Sequence, residues 1–158
     1  MKIWKAAPIA LLVAMNTFAA EKIEHQVTVI AQIPSESFFV QPTGNDNWIN
    51  TPQKLAYDSH TKKLGSLTKQ LEVKSTIGAI TGYLSNPAIM ASDKENITLA
   101  VKVGGTELTT APVELVDIDT AKTGKTIALE IIPTVPSNGY TAGTYQGVVN
   151  MIFESAAP

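Results

Sequence analysis

The chain has 158 residues, neither cysteine nor arginine, and a formal net charge of −2. That length holds one domain with a proper core. Zinc–thiolate and catalytic-cysteine chemistry are excluded, and a mildly acidic chain lacking arginine is a poor match for nucleic acid or for anionic membrane surfaces.

Residues 1–19 read as a secretory signal. Lys2 and Lys5 supply a basic start, residues 6–14 an apolar run, and Thr17-Phe18-Ala19 a cleavage motif with small residues at −3 and −1. Cleavage after Ala20 would instead put the bulky Phe18 at −3. The apolar run is too short to cross a bilayer. Loss of Lys2 and Lys5 leaves 10 Lys against 14 Asp plus Glu, a formal charge of −4. An exported domain without disulfides must be held by its core or by association with other chains.

The first segment after the signal is an arm, residues 20–36. Its polar start, residues 21–26, leads into an alternating run in which Val27, Val29, Ala31 and Ile33 share one face, and Pro34 ends it. The pattern alone favours an ordinary first strand of the sandwich, although periodicity does not separate it from a strand donated to a neighbour. Residues 35–50 read as loop, with turn chemistry from Pro42 to Asn47.

From there, alternation predicts strands. Leu71, Val73, Ser75 and Ile77 form one row; Ile97, Leu99, Val101 and Val103 form another, closed by the hairpin signal Gly104-Gly105. Ile127, Leu129 and Ile131 follow. A last strand over residues 144–154 places Gly147, Val149, Met151 and Phe153 on one face and Gln146, Val148, Asn150, Ile152 and Glu154 on the other. Ser85-Asn86-Pro87, Thr123-Gly124-Lys125 and Ser137-Asn138-Gly139 are turn signals. The segment 87–94 could form a short helix; otherwise helical periodicity is absent. Short strands with this punctuation predict one all-β domain, an antiparallel sandwich over residues 37–158.

The parts of an enzyme are missing. His25 and His60 are the two histidines, neither with a second at metal-ligand spacing, so no metal and no cofactor is expected. Residues 119–126 imitate the end of a phosphate loop, but Asp119 replaces the first glycine and the segment leads into a strand instead of a helix. It reads as a hairpin turn, with Asp117 and Asp119 as solvated charge.

Three features resemble a known family. One is Glu21-Lys22 followed by the alternating run Val27 to Pro34. Another is Lys54-Leu55-Ala56-Tyr57-Asp58 with the later Gly104-Gly105-Thr106-Glu107-Leu108-Thr109-Thr110. The third is Thr141-Ala142-Gly143-Thr144-Tyr145-Gln146-Gly147-Val148-Val149. In order and spacing they resemble the major pilins of the colonisation factor antigen fimbriae, the alpha-type or class five branch of chaperone–usher pili.

The resemblance implies an immunoglobulin-like sandwich that lacks its final strand and is completed by a donated N-terminal strand. It implies a structural major subunit of an adhesive fimbria, exported through the periplasm to the cell surface. Its partners would be identical or related pilins in a linear homopolymer, a periplasmic chaperone, an outer-membrane usher and a tip adhesin. The donor strand would be Val27, Val29, Ala31 and Ile33 with Pro34 at its base; Gly147, Val149, Met151 and Phe153 would wall the acceptor groove. The alternative is a free-standing exported binding domain for carbohydrate or adhesion. For that reading Trp48 and Tyr57, Tyr83, Tyr140 and Tyr145 are the candidate platforms, and Trp48 could equally touch a neighbouring subunit.

Overall fold

The computed structural model describes residues 36–157. The larger of its two main sheets has the strand order β1-β4-β10-β7-β6, built from β1 (Phe38–Pro42), β4 (Leu67–Ser75), β10 (Lys125–Pro133), β7 (Asn96–Val103) and β6 (Ile89–Ala91). A short β8 (Thr106–Glu107) folds back onto β7. The smaller sheet runs β11-β5-β9, from β11 (Met151–Ser155), β5 (Ile80–Leu84) and β9 (Val113–Val116). β2 (Tyr57–Asp58) and β3 (Lys63–Leu64) form a separate hairpin. All the recorded pairings are antiparallel.

Alternation decides which side chains enter the core. On β7, Ile97, Leu99, Val101 and Val103 are buried while Asn96 and Thr98 are exposed. On β4, Leu71, Val73 and Ser75 turn inward; on β10, Ile127 and Leu129 do. The small sheet contributes Ile80, Leu84 and Val116 to the same core. Each fully buried aliphatic side chain contributes about 1.5–3 kcal/mol relative to an exposed one, so these two inner faces are what hold the sheets together. Gly104 and Gly105, both at positive φ (59° and 85°), close the tight β7–β8 turn that the paired glycines predict.

Tyr145 closes the sandwich near its last strand. Its Oη donates to the carbonyl of Thr141 at 2.7 Å and lies 3.4 Å from Glu95 Oε2. A tyrosine that bonds back to a backbone carbonyl just upstream is the corner motif of immunoglobulin-like folds.

The structure corrects five local expectations. Within the supposed loop 35–50 lies β1, whose register Val40↔Val73 extends the large sheet beyond β4. The segment 87–94 is not helical: β6 pairs with β7 through Met90↔Ile97, because the outer side of β7 offers backbone partners that a helix would forgo. The supposed hairpin turn at 119–126 is a six-residue helix, α1 (Ile118–Thr123). It is needed because β9 and β10 belong to different sheets, so the chain must cross between layers. Asp117 is its N-cap, accepting N–H groups of Asp119 and Thr120 at 3.1 and 3.0 Å, and Gly124 (φ 82°) stops it. Finally, of residues 144–154 only the end is strand, as described next. Ile77, placed in the β4 row by periodicity, lies past the strand end and is 40% exposed.

Candidate assembly groove

The chain's final run divides its pairing between the two sheets. Gln146 exchanges both backbone hydrogen bonds with Ala91 on β6 (2.8 and 3.0 Å), in the large sheet. Five residues later the chain has crossed to the small sheet, where Met151↔Leu84 and Phe153↔Gly82 set the register of β11. Gly147 makes the crossing possible. A Cβ there would collide with the backbone of Ile89 and Met90. The end of β11 is fastened by hydroxyls: Ser75 and Ser155 Oγ atoms sit 2.6 Å apart, and Ser155 also reaches the Gly78 carbonyl at 3.1 Å.

Among the described residues, β11 is the edge of the small sheet, paired with β5 alone. Its alternation survives the crossing: Val149, Met151 and Phe153 are half-buried, while Val148 (74%) and Ile152 (37%) are exposed. Beside this run opens an apolar cavity of about 260 Å³. Gly147, Val149 and Met151 form one wall, and Trp48, Ile49 and Leu55 face them. Leu99, Leu129 and Ile131 of the large sheet form the floor. Phe153 is not part of this lining. It packs on Gly82, where a Cβ would lie 3.3 Å from its ring and 2.6 Å from Leu115 Cδ1. The small sheet thus gives up a side chain at Gly82 to seat two larger ones.

Trp48 is 7% exposed, so it offers no platform to solvent. It sits in a 3-10 turn, Trp48–Asn50, whose carbonyl at Trp48 accepts the Thr51 N–H at 3.2 Å and Gln53 Nε2 at 3.0 Å. Lys69, from the inward row of β4, places its ammonium 5.8 Å from the indole centroid, a cation–π distance. The sequence singled out Trp48 but not its place in this wall; that needed the fold of the loop over β4.

The residues assigned to the donated strand (Val27, Val29, Ala31, Ile33 and Pro34) lie outside the described residues. Among the described residues, no group of acidic or histidine side chains is placed to hold a metal ion, and no helix is long and apolar enough to cross a membrane.

An antiparallel immunoglobulin-like sandwich, with an apolar cavity beside its edge strand, defines a class of β-sandwich with an unfilled side. Comparison with known proteins makes the class specific. Residues 23–154 match the family model of the CS1 type fimbrial major subunit, and the chain belongs to that family. Among solved structures it is similar to the CooA pilin subunit from enterotoxigenic Escherichia coli. The identity is 18% and the TM-score 0.61, over 75% of this chain and 86% of that one. At that identity the likeness speaks for the fold. No curated protein sequence matches significantly. The protein is therefore a structural, non-enzymatic subunit of a surface fimbrium, polymerising with other pilin subunits.

Proposed function

We propose that this subunit polymerises by donor-strand exchange, its N-terminal arm laying Val27, Val29, Ala31 and Ile33 into the groove of the next subunit. The observation that carries the reading is the pairing of an open edge strand with an adjacent apolar cavity lined by Gly147, Val149 and Met151. An unpaired edge beside exposed core residues invites an added strand. Burial of three branched aliphatic side chains plus Ala31 contributes roughly 5–9 kcal/mol before entropy costs. Ladder hydrogen bonds add about 1 kcal/mol each. The family match starts at residue 23, so the arm belongs to the pattern the family shares.

In this account residues 1–19 direct export, a periplasmic chaperone covers the groove before assembly, and an outer-membrane usher exchanges the chaperone's strand for the arm. A tip adhesin would begin the fibre. Trp48 is buried, so of the aromatic platforms that would favour a free-standing binding domain it is not one.

Period-two alternation supplies a test. Val29→Asp puts a carboxylate on the inward face of the arm, and Ile30→Asp puts the same charge on the outward face. Burying an unpaired carboxylate is costly by several kcal/mol. Fibre yield on the cell surface should fall at least tenfold for Val29→Asp and stay near wild type for Ile30→Asp. Equal yields from the two variants would contradict the proposal.

A further inference from the structure

A second cavity, of about 360 Å³, shares no residue with the groove. Tyr57 of the β2–β3 hairpin, Tyr140 and Tyr145 line it together with Leu64, Ile97 and Thr141. Three of the chain's four tyrosines therefore converge on one depression. Among the described residues, no charged side chain lines it. The Tyr57 and Tyr140 rings meet edge to face, with centroids 6.2 Å apart and planes at 87°, and Tyr57 is 52% exposed. The edge of one ring thus rests against the face of the other, a preferred aromatic geometry that fixes their relative orientation.

The wall behind is built rigidly. Glu95, just before β7, accepts the Thr141 N–H at 3.3 Å and lies 3.4 Å from Tyr145 Oη, which itself bonds to the Thr141 carbonyl. Against that order one group stands out: Tyr140 Oη is buried and has no hydrogen-bond partner. A buried hydroxyl without a partner leaves its desolvation uncompensated, a local cost carried by the wall itself because nothing the size of water reaches the oxygen.

We propose that this cavity is a binding subsite for a neutral pyranose unit of a glycan, carried by the fimbrial subunit itself. The volume falls in the range of small-ligand sites. A pyranose offers an apolar C–H face to the exposed Tyr57 ring and hydroxyls to the exposed Thr141 at the rim. The lack of lining charge disfavours sialylated, sulfated or phosphorylated ligands, whose charge would be desolvated without a counter-charge. The site shares no described residue with the groove, so a fibre would repeat it once per subunit.

The test uses assembled fibres and saturation-transfer NMR with methyl β-D-galactopyranoside, methyl β-D-glucopyranoside and N-acetylneuraminic acid as probes. At least one neutral glycoside should receive magnetisation, strongest on its ring C–H protons, and the charged sugar none. Tyr57→Ala should cut the transfer at least fivefold. Tyr57→Leu, which keeps apolar contact for the hairpin, should do the same, guarding against a local folding defect. Absence of transfer to both neutral glycosides overturns the proposal. So does equal transfer to the charged sugar, or wild-type transfer in both Tyr57 variants.

Discussion

Ser75 is a polar residue with no exposure at all, and its surroundings explain why it is tolerated. Its hydroxyl accepts the N–H groups of Ile77 and Gly78 at 3.1 and 3.3 Å. Ser155 donates to the Gly78 carbonyl, so the short contact between the two hydroxyls has Ser75 as donor. One buried serine therefore caps the end of β4 and ties the last strand across the sandwich. Asp117 does comparable work in the open. The Thr120 N–H, seconded by the Thr120 hydroxyl, holds its carboxyl below the ordinary range. A carboxylate depressed in the folded state adds stability above the unfolded pKa and loses it as pH falls through the folded one. Denaturation midpoints of wild type and Asp117→Asn should thus differ at neutral pH and converge in acid, below the usual carboxylate range. A gap that does not change with pH would remove the charge from the account. The signal for this cap was present in the sequence, since Asp117 precedes a short segment that Gly124 ends. Asp117 read as solvated charge because six residues are too few to show helical periodicity.

At the scale of elements, the long strands were legible and the short connections were not. The rows of β7 and β10 repeat apolar residues often enough for the two-residue period to stand clear. β1 is Phe38-Phe39-Val40-Gln41-Pro42, half-buried throughout, so no alternation marks it; what makes it a strand is the edge of β4. β6 likewise exists because β7 offers it an edge. Residues 144–154 showed correct faces, but a change of sheet halfway along leaves those faces intact and so leaves no trace in the pattern. Gly147 is where that change is enforced. Gly147→Ala places a methyl against the backbone of Ile89 and Met90, and overpacking of this kind costs about 1–3 kcal/mol. Amide exchange at Ala91 and Gln146 should accelerate at least tenfold, while the β5–β11 amides keep their protection. Unchanged exchange at Ala91 and Gln146 would show that the crossing does not depend on the glycine.

For the whole molecule, the decisive property is an incomplete perimeter. Among the described residues the small sheet ends at β11 with an apolar cavity beside it, and the family to which the chain belongs builds fibres. Of the four groove residues read from the sequence, Gly147, Val149 and Met151 line that cavity, whereas the half-buried Phe153 packs over Gly82. Sequence could mark the shared face of these four but not where the inter-sheet space narrows. The opposite wall, with Trp48 at its centre, came from a loop that periodicity leaves blank. A strand passed from one subunit to the next makes a heterologous contact that does not close, which is the geometry of a linear fibre. The endurance of such a fibre is governed by how slowly a seated strand leaves.

The central claim is that residues 20–36 supply to a neighbour what the sandwich lacks. The most direct measurement compares two chains purified without chaperone: residues 20–158 in natural order, and a chain with residues 20–36 moved behind residue 158 through a flexible linker. Thermal unfolding and solution mass are read for each. The account predicts a cooperative, stable monomer for the rearranged chain alone, with the natural order unstable or polymeric. A natural-order chain that is already a stable monomer, with nothing gained by the rearrangement, would contradict it.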